Sequence, residues 1–314
     1  MTQPAQILSA TPAGIATAAQ MLAQGKLVSF PTETVYGLGA DARNGTAVAG
    51  IYAAKGRPSF NPLIVHCADV AAVRQYGGWS PMAEHLGAAF WPGPMTLVLP
   101  LKPSAGIASL VTAGLDSIAV RVPAHPAAQD LLNAFGGPLA APSANPSGRI
   151  SATTAAHVAA GLSMVIDAIV DDGPCAVGLE STIISLVGDQ PALLRAGGLA
   201  VEEIEDVLSM PIAIENGSEI IAPGQLASHY APRAQVRLNA RVAEPGEVLL
   251  GFGDMACDLN LSARGDLTEA AAHLFEHLHR LDALGAPIAV APVPMVGLGR
   301  AINDRLARAA APRS

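Results

Sequence analysis

Short apolar runs alternate with alanine-rich stretches along the first two hundred residues, and most runs end in a cluster of glycine, proline or hydroxyl residues. Runs at 27–30, 63–66, 95–99, 117–122, 167–170, 181–186 and 193–194 are too short for helices and are bounded by turn residues, which predicts buried strands. Between them lie helical stretches with readable ends. Thr11 stands as N-cap before Pro12, with Gly25 past the last turn. Residues 44–54, 126–135 and 201–208 are read as helices, another opens at Ser80-Pro81 and stops at Trp91-Pro92-Gly93-Pro94, and one starts near Thr153.

From 211 to 233 the periodicity is lost and Pro223, Gly224, Pro232 and a His229-Tyr230 pair collect, which reads as a linker. A second α/β pattern follows, with strands near 236–238, 247–252 and 288–291 and helices near 266–284 and 300–310. The division is therefore 1–210, a linker at 211–233, and 234–314. A chain of 314 residues is long enough for two such domains, each with its own core.

Composition narrows the function classes. Hydrophobic residues make up 51% and mean hydropathy is +0.38, yet no run reaches the roughly 18 apolar residues that span a bilayer. The most apolar stretch, 286–298, is broken by Pro287, Pro292 and Pro294. The first residues lack the basic start and apolar centre of a secretion signal, so a cytoplasmic location and no membrane contact are expected. Cys67, Cys175 and Cys257 are odd in number and far apart, which indicates neither disulfides nor a zinc knuckle. A net charge of −8 with 4% aromatics excludes a surface that is nucleic-acid footprint throughout; any RNA contact would have to be local, and direct tRNA binding is not expected.

Against that acidic background one stretch stands apart. Lys55-Gly56-Arg57-Pro58-Ser59-Phe60-Asn61-Pro62 holds one of only three lysines in the chain, two positions from an arginine. Two cations, a chain-turning Gly and Pro and the Asn61 amide suit phosphate oxygens, although Lys55 could also simply end a helix against its dipole with Gly56 as cap. Other polar turns follow strands: Pro31 to Gly39 with Thr32, Glu33 and Thr34, then Ala141 to Ser151 with Ser143 and Asn145, and Leu194-Arg195-Ala196-Gly197. Ligands of open α/β sheets bind at such strand ends. His66 ends a strand, where a histidine is more often a satisfied structural residue than a ligand. Arg121 is a charge inside an apolar strand and calls for a carboxylate, either an internal one or that of a ligand.

Absences also discriminate. The chain has no Gly-x-x-x-x-Gly-Lys-Ser/Thr, so phosphates cannot be held by the common nucleotide loop, and neither Gly-x-Ser-x-Gly nor Ser-x-x-Lys occurs. His273 and His277 with Glu276 resemble a zinc helix only loosely, since the Glu is at the wrong offset, and a surface helix is the reading adopted.

The motifs at 31–39, 55–63, 91–96, 143–148, 178–183 and 194–197, taken in order, resemble the threonylcarbamoyl-AMP synthase family in its longer form, a YrdC-like domain with a C-terminal extension. The resemblance covers about 12–210, extends to the linker at 222–232, and is loose beyond. It implies an α/β fold: a twisted, open mixed sheet with flanking helices, then a smaller, Rossmann-like α/β domain. It implies adenylyl transfer: L-threonine and bicarbonate give an N-carboxy amino acid that attacks the α-phosphate of ATP, with Mg2+ bridging the phosphates. The product would pass to a tRNA-modifying threonylcarbamoyl transferase complex.

By position, the resemblance puts Lys55, Arg57, Asn61, Ser117, Ser143, Asn145, Ser151 and Arg195 on the ATP side, with Lys55 and Arg57 as the catalytic pair. Thr32, Thr34, His66, Arg121, the Ala141 backbone and Ser181 would surround threonine, which favours a ligand carboxylate for Arg121. Tyr230 would fold over the nucleotide. One departure is Ala196, where the family often has proline. An RNA-binding module of the same fold and a related carbamoyltransferase are the alternatives, the second lacking its usual acylphosphatase and zinc-finger regions here.

Overall fold

The structure, a computed structural model, describes residues 3–214 and 229–312. The chain opens with β1 (Gln6–Ser9), α1 (Pro12–Ala23), β2 (Val28–Phe30), β3 (Gly37–Asp41), α2 (Gly45–Lys55) and β4 (Ile64–His66). It continues with α3 (Val70–Tyr76), α4 (Pro81–Phe90), β5 (Met95–Pro100), α5 (Ser109–Thr112), β6 (Ser117–Arg121) and α6 (Pro126–Phe135). Then come β7 (Leu139–Ala140), α7 (Ala155–Leu162), β8 (Ala168–Asp171), β9 (Thr182–Ser185), β10 (Ala192–Arg195), α8 (Val201–Leu208) and β11 (Ala213–Ile214). A second unit holds β12 (Val236–Arg237), β13 (Val248–Gly251), β14 (Leu259–Asn260), α9 (Leu267–Asp282), β15 (Ile288–Val290) and α10 (Leu298–Ala310).

Local signals set the helix ends. The Thr11 hydroxyl accepts from the Gly14 amide at 3.3 Å and Pro12 fills the first turn of α1. Asn44 caps α2 by accepting from the amides of Thr46 and Ala47, and Gly56 ends it in the left-handed conformation at φ 59°. That turn throws Arg57 back toward the sheet.

The first unit is one mixed sheet of eleven strands in the order β1-β8-β2-β3-β7-β4-β6-β5-β9-β10-β11. β4 and β6 run parallel in a register that sets His66 beside Arg121, while β7 pairs antiparallel with β4 and β9 parallel with β5. The second unit is a four-stranded sheet, all parallel, in the order β12-β15-β13-β14.

Two sequence expectations change. Gly37, Leu38 and Gly39 are strand rather than turn: β3 pairs antiparallel with β2, and the Phe30 ring fills the space over Gly39, where an added Cβ would lie 2.8 Å from a ring carbon. The short elements β1, β7, β11, β14, α3 and α5 went unanticipated, because a few residues carry too few positions to show a period. Of the segment 211–233, residues 215–228 lie outside the described residues, including Pro223 and Gly224.

The two units share a core. Val35, Ile150, Leu179 and Tyr230 pack with Leu274, Phe275 and Leu278 of α9. Around that seam His157 of α7 and His279 of α9 stack with centroids 3.8 Å apart, and Arg305 of α10 pairs with Glu180 at 2.9 Å. Among the described residues, no helix is long and apolar enough to cross a membrane.

Candidate active site

A cavity lies where β4, β6 and β9 reach their ends and the loops before β3 and after β7 fold over them. Thr32, Thr34, His66, Arg121, Ala141 and Ser181 border it on one side; Arg57, Ser143, Arg195 and Tyr230 border it on the other. Ten of the residues assigned through the resemblance therefore meet in space.

The first group is wired as a chain of hydrogen bonds. Arg121 donates to the Thr34 hydroxyl at 2.9 Å; the Thr34 and Thr32 hydroxyls bond at 2.8 Å, and Thr32 donates to the Val35 carbonyl at 2.6 Å. Arg121 also donates to Glu33 Oε1 at 2.6 Å and to the Gly93 carbonyl at 3.3 Å. Glu33 is thus an internal carboxylate partner of Arg121, one of the two partners that the sequence left open for it. Three of five N–H groups are engaged, and one on each terminal nitrogen remains for a carboxylate.

His66 Nδ1 lies 3.3 Å from the Ile64 carbonyl, and burial, then Arg121, push its pKa down to about 3. The ring is neutral, with Nδ1–H donating and the Nε2 lone pair left as an acceptor. Ser181 bonds Thr96 at 2.7 Å, while Arg195 donates to the Ser181 carbonyl and hydroxyl at 2.9 and 3.1 Å. Gly197 is required beside them: an added Cβ would lie 2.3 Å from the Glu180 carbonyl oxygen.

Four cations in and around the cavity, Lys55, Arg57, Arg121 and Arg195, are only 4%, 8%, 3% and 8% exposed. Burial lowers the pKa of Lys55 well below its usual value and that of Arg57 to about 10, with the neighbouring Arg57 adding to the effect on Lys55. Glu33 bonds Arg121 and Glu180 borders the cavity near Arg195, so four cations meet two carboxylates and the positive charge in excess suits an anion. Arg57 is aimed by bonds to the Asn61 and Pro62 carbonyls at 3.3 and 3.0 Å. Both polar atoms of the Asn61 amide, and Oδ1 of Asn145, are buried with no hydrogen-bond partner, as groups awaiting a polar ligand would be.

Five assigned residues lie outside the cavity lining. Lys55 sits beneath the 143–145 turn, donating to the carbonyls of Ser143, at 2.5 Å, and Asn145. Asn145 Nδ2 braces its own loop through the Pro146 and Arg149 carbonyls, both at 2.9 Å. Asn61 stands behind Arg57. Ser151 donates to Glu180 at 2.5 Å and so acts on the site through that carboxylate. Ser117 is the furthest displaced. It shares a face of β6 with Arg121 but starts the strand, about 13 Å away, and borders a separate hollow with Val98 and Ser185.

Sequence reasoning passed over Glu180, His229 and Arg305. Glu180 borders the cavity; burial works against its charge, but Arg305 and then Arg195 overcome it and hold the pKa below the usual range. His229 is buried against Tyr230 with its Nδ1 unpartnered. Glu180 did stand in a marked turn, next to Ser181; nothing local marked Arg305.

Residues 20–197 match the family model described as telomere recombination (Sua5, YciO and YrdC), and residues 199–311 match one described as threonylcarbamoyl-AMP synthase, C-terminal domain. A Bacillus subtilis protein named threonylcarbamoyl-AMP synthase is 42% identical over 98% of this chain and 95% of its own. The chain belongs to the threonylcarbamoyl-AMP synthase family. Among solved structures, P. abyssi Sua5 complexed with L-threonine superimposes with a TM-score of 0.89 at 38% identity, covering 97% of both chains. E. coli YciO, at 23% identity and a TM-score of 0.57, covers 63% of this chain and 96% of its own and shares the fold.

Proposed function

We propose that this chain is an L-threonylcarbamoyladenylate synthase, a nucleotidyltransferase acting on L-threonine, bicarbonate and ATP. The observation that carries the reading is the likeness, over nearly the whole of both chains, to a structure complexed with L-threonine. The juxtaposition within one cavity of a hydroxyl-and-arginine pocket and a cluster of buried cations supports it.

Threonine enters with its carboxylate on the two remaining N–H groups of Arg121, among Thr34, His66 and Ser181. Its amine adds to the carbon of bicarbonate, water is lost, and a carbamate forms. A carbamate oxygen then attacks the α-phosphorus of ATP; the bond from that phosphorus to the β-phosphate bridging oxygen breaks, and pyrophosphate leaves. Arg57 and Arg195 stabilise the charge that accumulates on the departing phosphates. The carbamate is itself an anion, so no general base is needed for this step, and neutral His66 can accept a hydrogen bond from the threonine hydroxyl or amine.

Mg2+ would travel with the triphosphate and neutralise part of its charge. Glu180 is held by Arg305 and Ser151, and Glu33 by Arg121; no group of three His, Cys, Asp or Glu suited to a metal occurs among the described residues. The cation set is sunk in a pocket instead of spread over a surface, which favours the synthase over an RNA-binding module. The product, a hydrolysable mixed anhydride, requires a transferase that accepts it promptly, here one acting on tRNA.

The test mixes protein, ATP, Mg2+, labelled bicarbonate and single amino acids. Threonine should give equimolar pyrophosphate and a labelled adenylate; release of neither product with threonine defeats the assignment.

A further inference from the structure

Thr32, Thr34 and Val35 border the cavity, but Glu33 among them does not. Its carboxylate bonds Arg121 from outside the lining. Oε1 accepts from Arg121 Nη2 at 2.6 Å, and Oε2 accepts at 3.1 Å from the amide of Ala124, in the loop between β6 and α6. The Glu33 carbonyl accepts from the Val177 amide at 2.7 Å, so backbone and side chain are both held. The Arg121 and Glu33 side chains are only 4% and 12% exposed, and charges so shielded from water act strongly on each other and on any ion that comes near. The other cations are bonded differently. Lys55 donates to the Ser143 and Asn145 carbonyls, and Arg57 to those of Asn61 and Pro62. Arg195 donates to Ser181, while Glu180, the carboxylate in its field, is bonded by Arg305.

Arg121 thus carries its own counter-charge, whereas the bonds of Lys55 and Arg57 go to neutral carbonyls. A polyphosphate entering a cavity with several cations is drawn to all of them, and something has to keep it off the one that threonine needs. Repulsion by Glu33 grows with the charge of the ligand, so it weighs several times more on a polyphosphate than on a single carboxylate. We infer that Glu33 is a positioning residue that reserves Arg121 for the threonine carboxylate. It offsets the guanidinium charge, so that the phosphates of ATP settle at Arg57 and the turn braced by Lys55. It also takes one N–H of Nη2, as Thr34 takes one of Nη1, and leaves a pair of N–H groups suited to a carboxylate. This role rests on the reading of the cavity as a site for threonine and ATP given above.

Glu33→Gln keeps the size of the side chain and an acceptor for Arg121 but removes the charge. Binding of labelled L-threonine to the full-length protein is measured by equilibrium dialysis, with and without inorganic tripolyphosphate. In the parent, tripolyphosphate should leave threonine binding unchanged. In Glu33→Gln the apparent Kd for threonine should rise about fivefold or more as tripolyphosphate is added, a typical coupling between two ligands. Glu33→Asp retains the charge and should restore the exclusion. A Glu33 that only held the fold would shift threonine binding by the same factor with and without tripolyphosphate, and that result overturns the inference. So does an Asp variant that admits tripolyphosphate as readily as the Gln variant, or a parent from which tripolyphosphate displaces threonine. Should Glu33→Gln fail to fold, Arg57→Gln puts the question to the intact pair: with that phosphate partner gone, tripolyphosphate should still leave threonine in place, and displacement overturns the inference. A parent that binds no threonine strikes the synthase reading itself; a parent that binds it, with no competition in Glu33→Gln, strikes only the role of Glu33.

Discussion

The Lys55 ammonium donates to the Ser143 carbonyl at 2.5 Å, joining two turns that lie 88 residues apart in the chain. The scarce lysine therefore shapes the phosphate end of the cavity by fixing a backbone turn as well as by its charge. Lys55→Met should lower kcat/KM for ATP about a hundredfold, close to 2.7 kcal/mol. Stability should fall by about 1–3 kcal/mol, because the Ser143 and Asn145 carbonyls lose their donor while the apolar stem is kept. Steady-state kinetics and urea midpoints measure the two, and near-normal kcat/KM would show that the turn holds without the ammonium.

Arg57 faces the cavity directly. Arg57→Ala should cost about 1.5–3 kcal/mol of transition-state stabilisation, hence ten- to hundredfold in kcat/KM for ATP, with KM for threonine little altered. Pyrophosphate release at varied ATP and at varied threonine separates the effects. Unchanged turnover removes Arg57 from the site.

Arg121 should behave in the opposite sense. Lysine at this position keeps a charge for Glu33 but cannot reach Glu33, Thr34 and a ligand carboxylate together. Arg121→Lys is expected to raise KM for threonine about ten- to hundredfold and to leave KM for ATP near the parent value. An equal rise in both constants would mean that the whole cavity has deformed.

Acid should loosen the seam between the units. His157 and His279 stack there, and burial pushes each down to about 4, the neighbouring His157 adding to the shift of His279. As neutral rings they are satisfied: His157 Nε2 meets Glu276 at 3.2 Å, its Nδ1 accepts from the Thr153 amide, and His279 Nε2 donates to the Ser151 carbonyl at 3.1 Å. The unfolded chain binds these protons from about pH 6.5 downward and the native one only near 4, so stability present above pH 6.5 is lost as pH falls to about 4. Urea midpoints across that window should slope less in a His157→Gln variant; identical slopes would assign the acid sensitivity to other groups.

What could be read from the sequence was what local chemistry marks. Thr11 with Pro12, and Asn44 with Gly56, announce α1 and α2 because a cap acts within four residues. Arg121 announced itself as a charge among apolar neighbours, but its partner Glu33 is 88 residues away and strand register, which brings them together, leaves no local trace. Ser117 was grouped with the ATP residues through the resemblance; only the direction of β6 shows it at the far end of the strand. Arg305 was hidden by its surroundings. Arg300, Asp304 and Arg308 give α10 the pattern of a solvent-facing helix, and nothing in that pattern tells which guanidinium turns inward.

The pairing of Glu180 with Arg305 also fixes an order of events during synthesis. The two lie 125 residues apart, so at roughly 5–20 residues per second the carboxylate is made about 6–25 s before its counter-ion. During that interval the partners already made for the carboxylate are Ser151 and Arg195, both from the first domain. The carboxylate that borders the cavity therefore gains its second guanidinium only once α10 has been made and has docked.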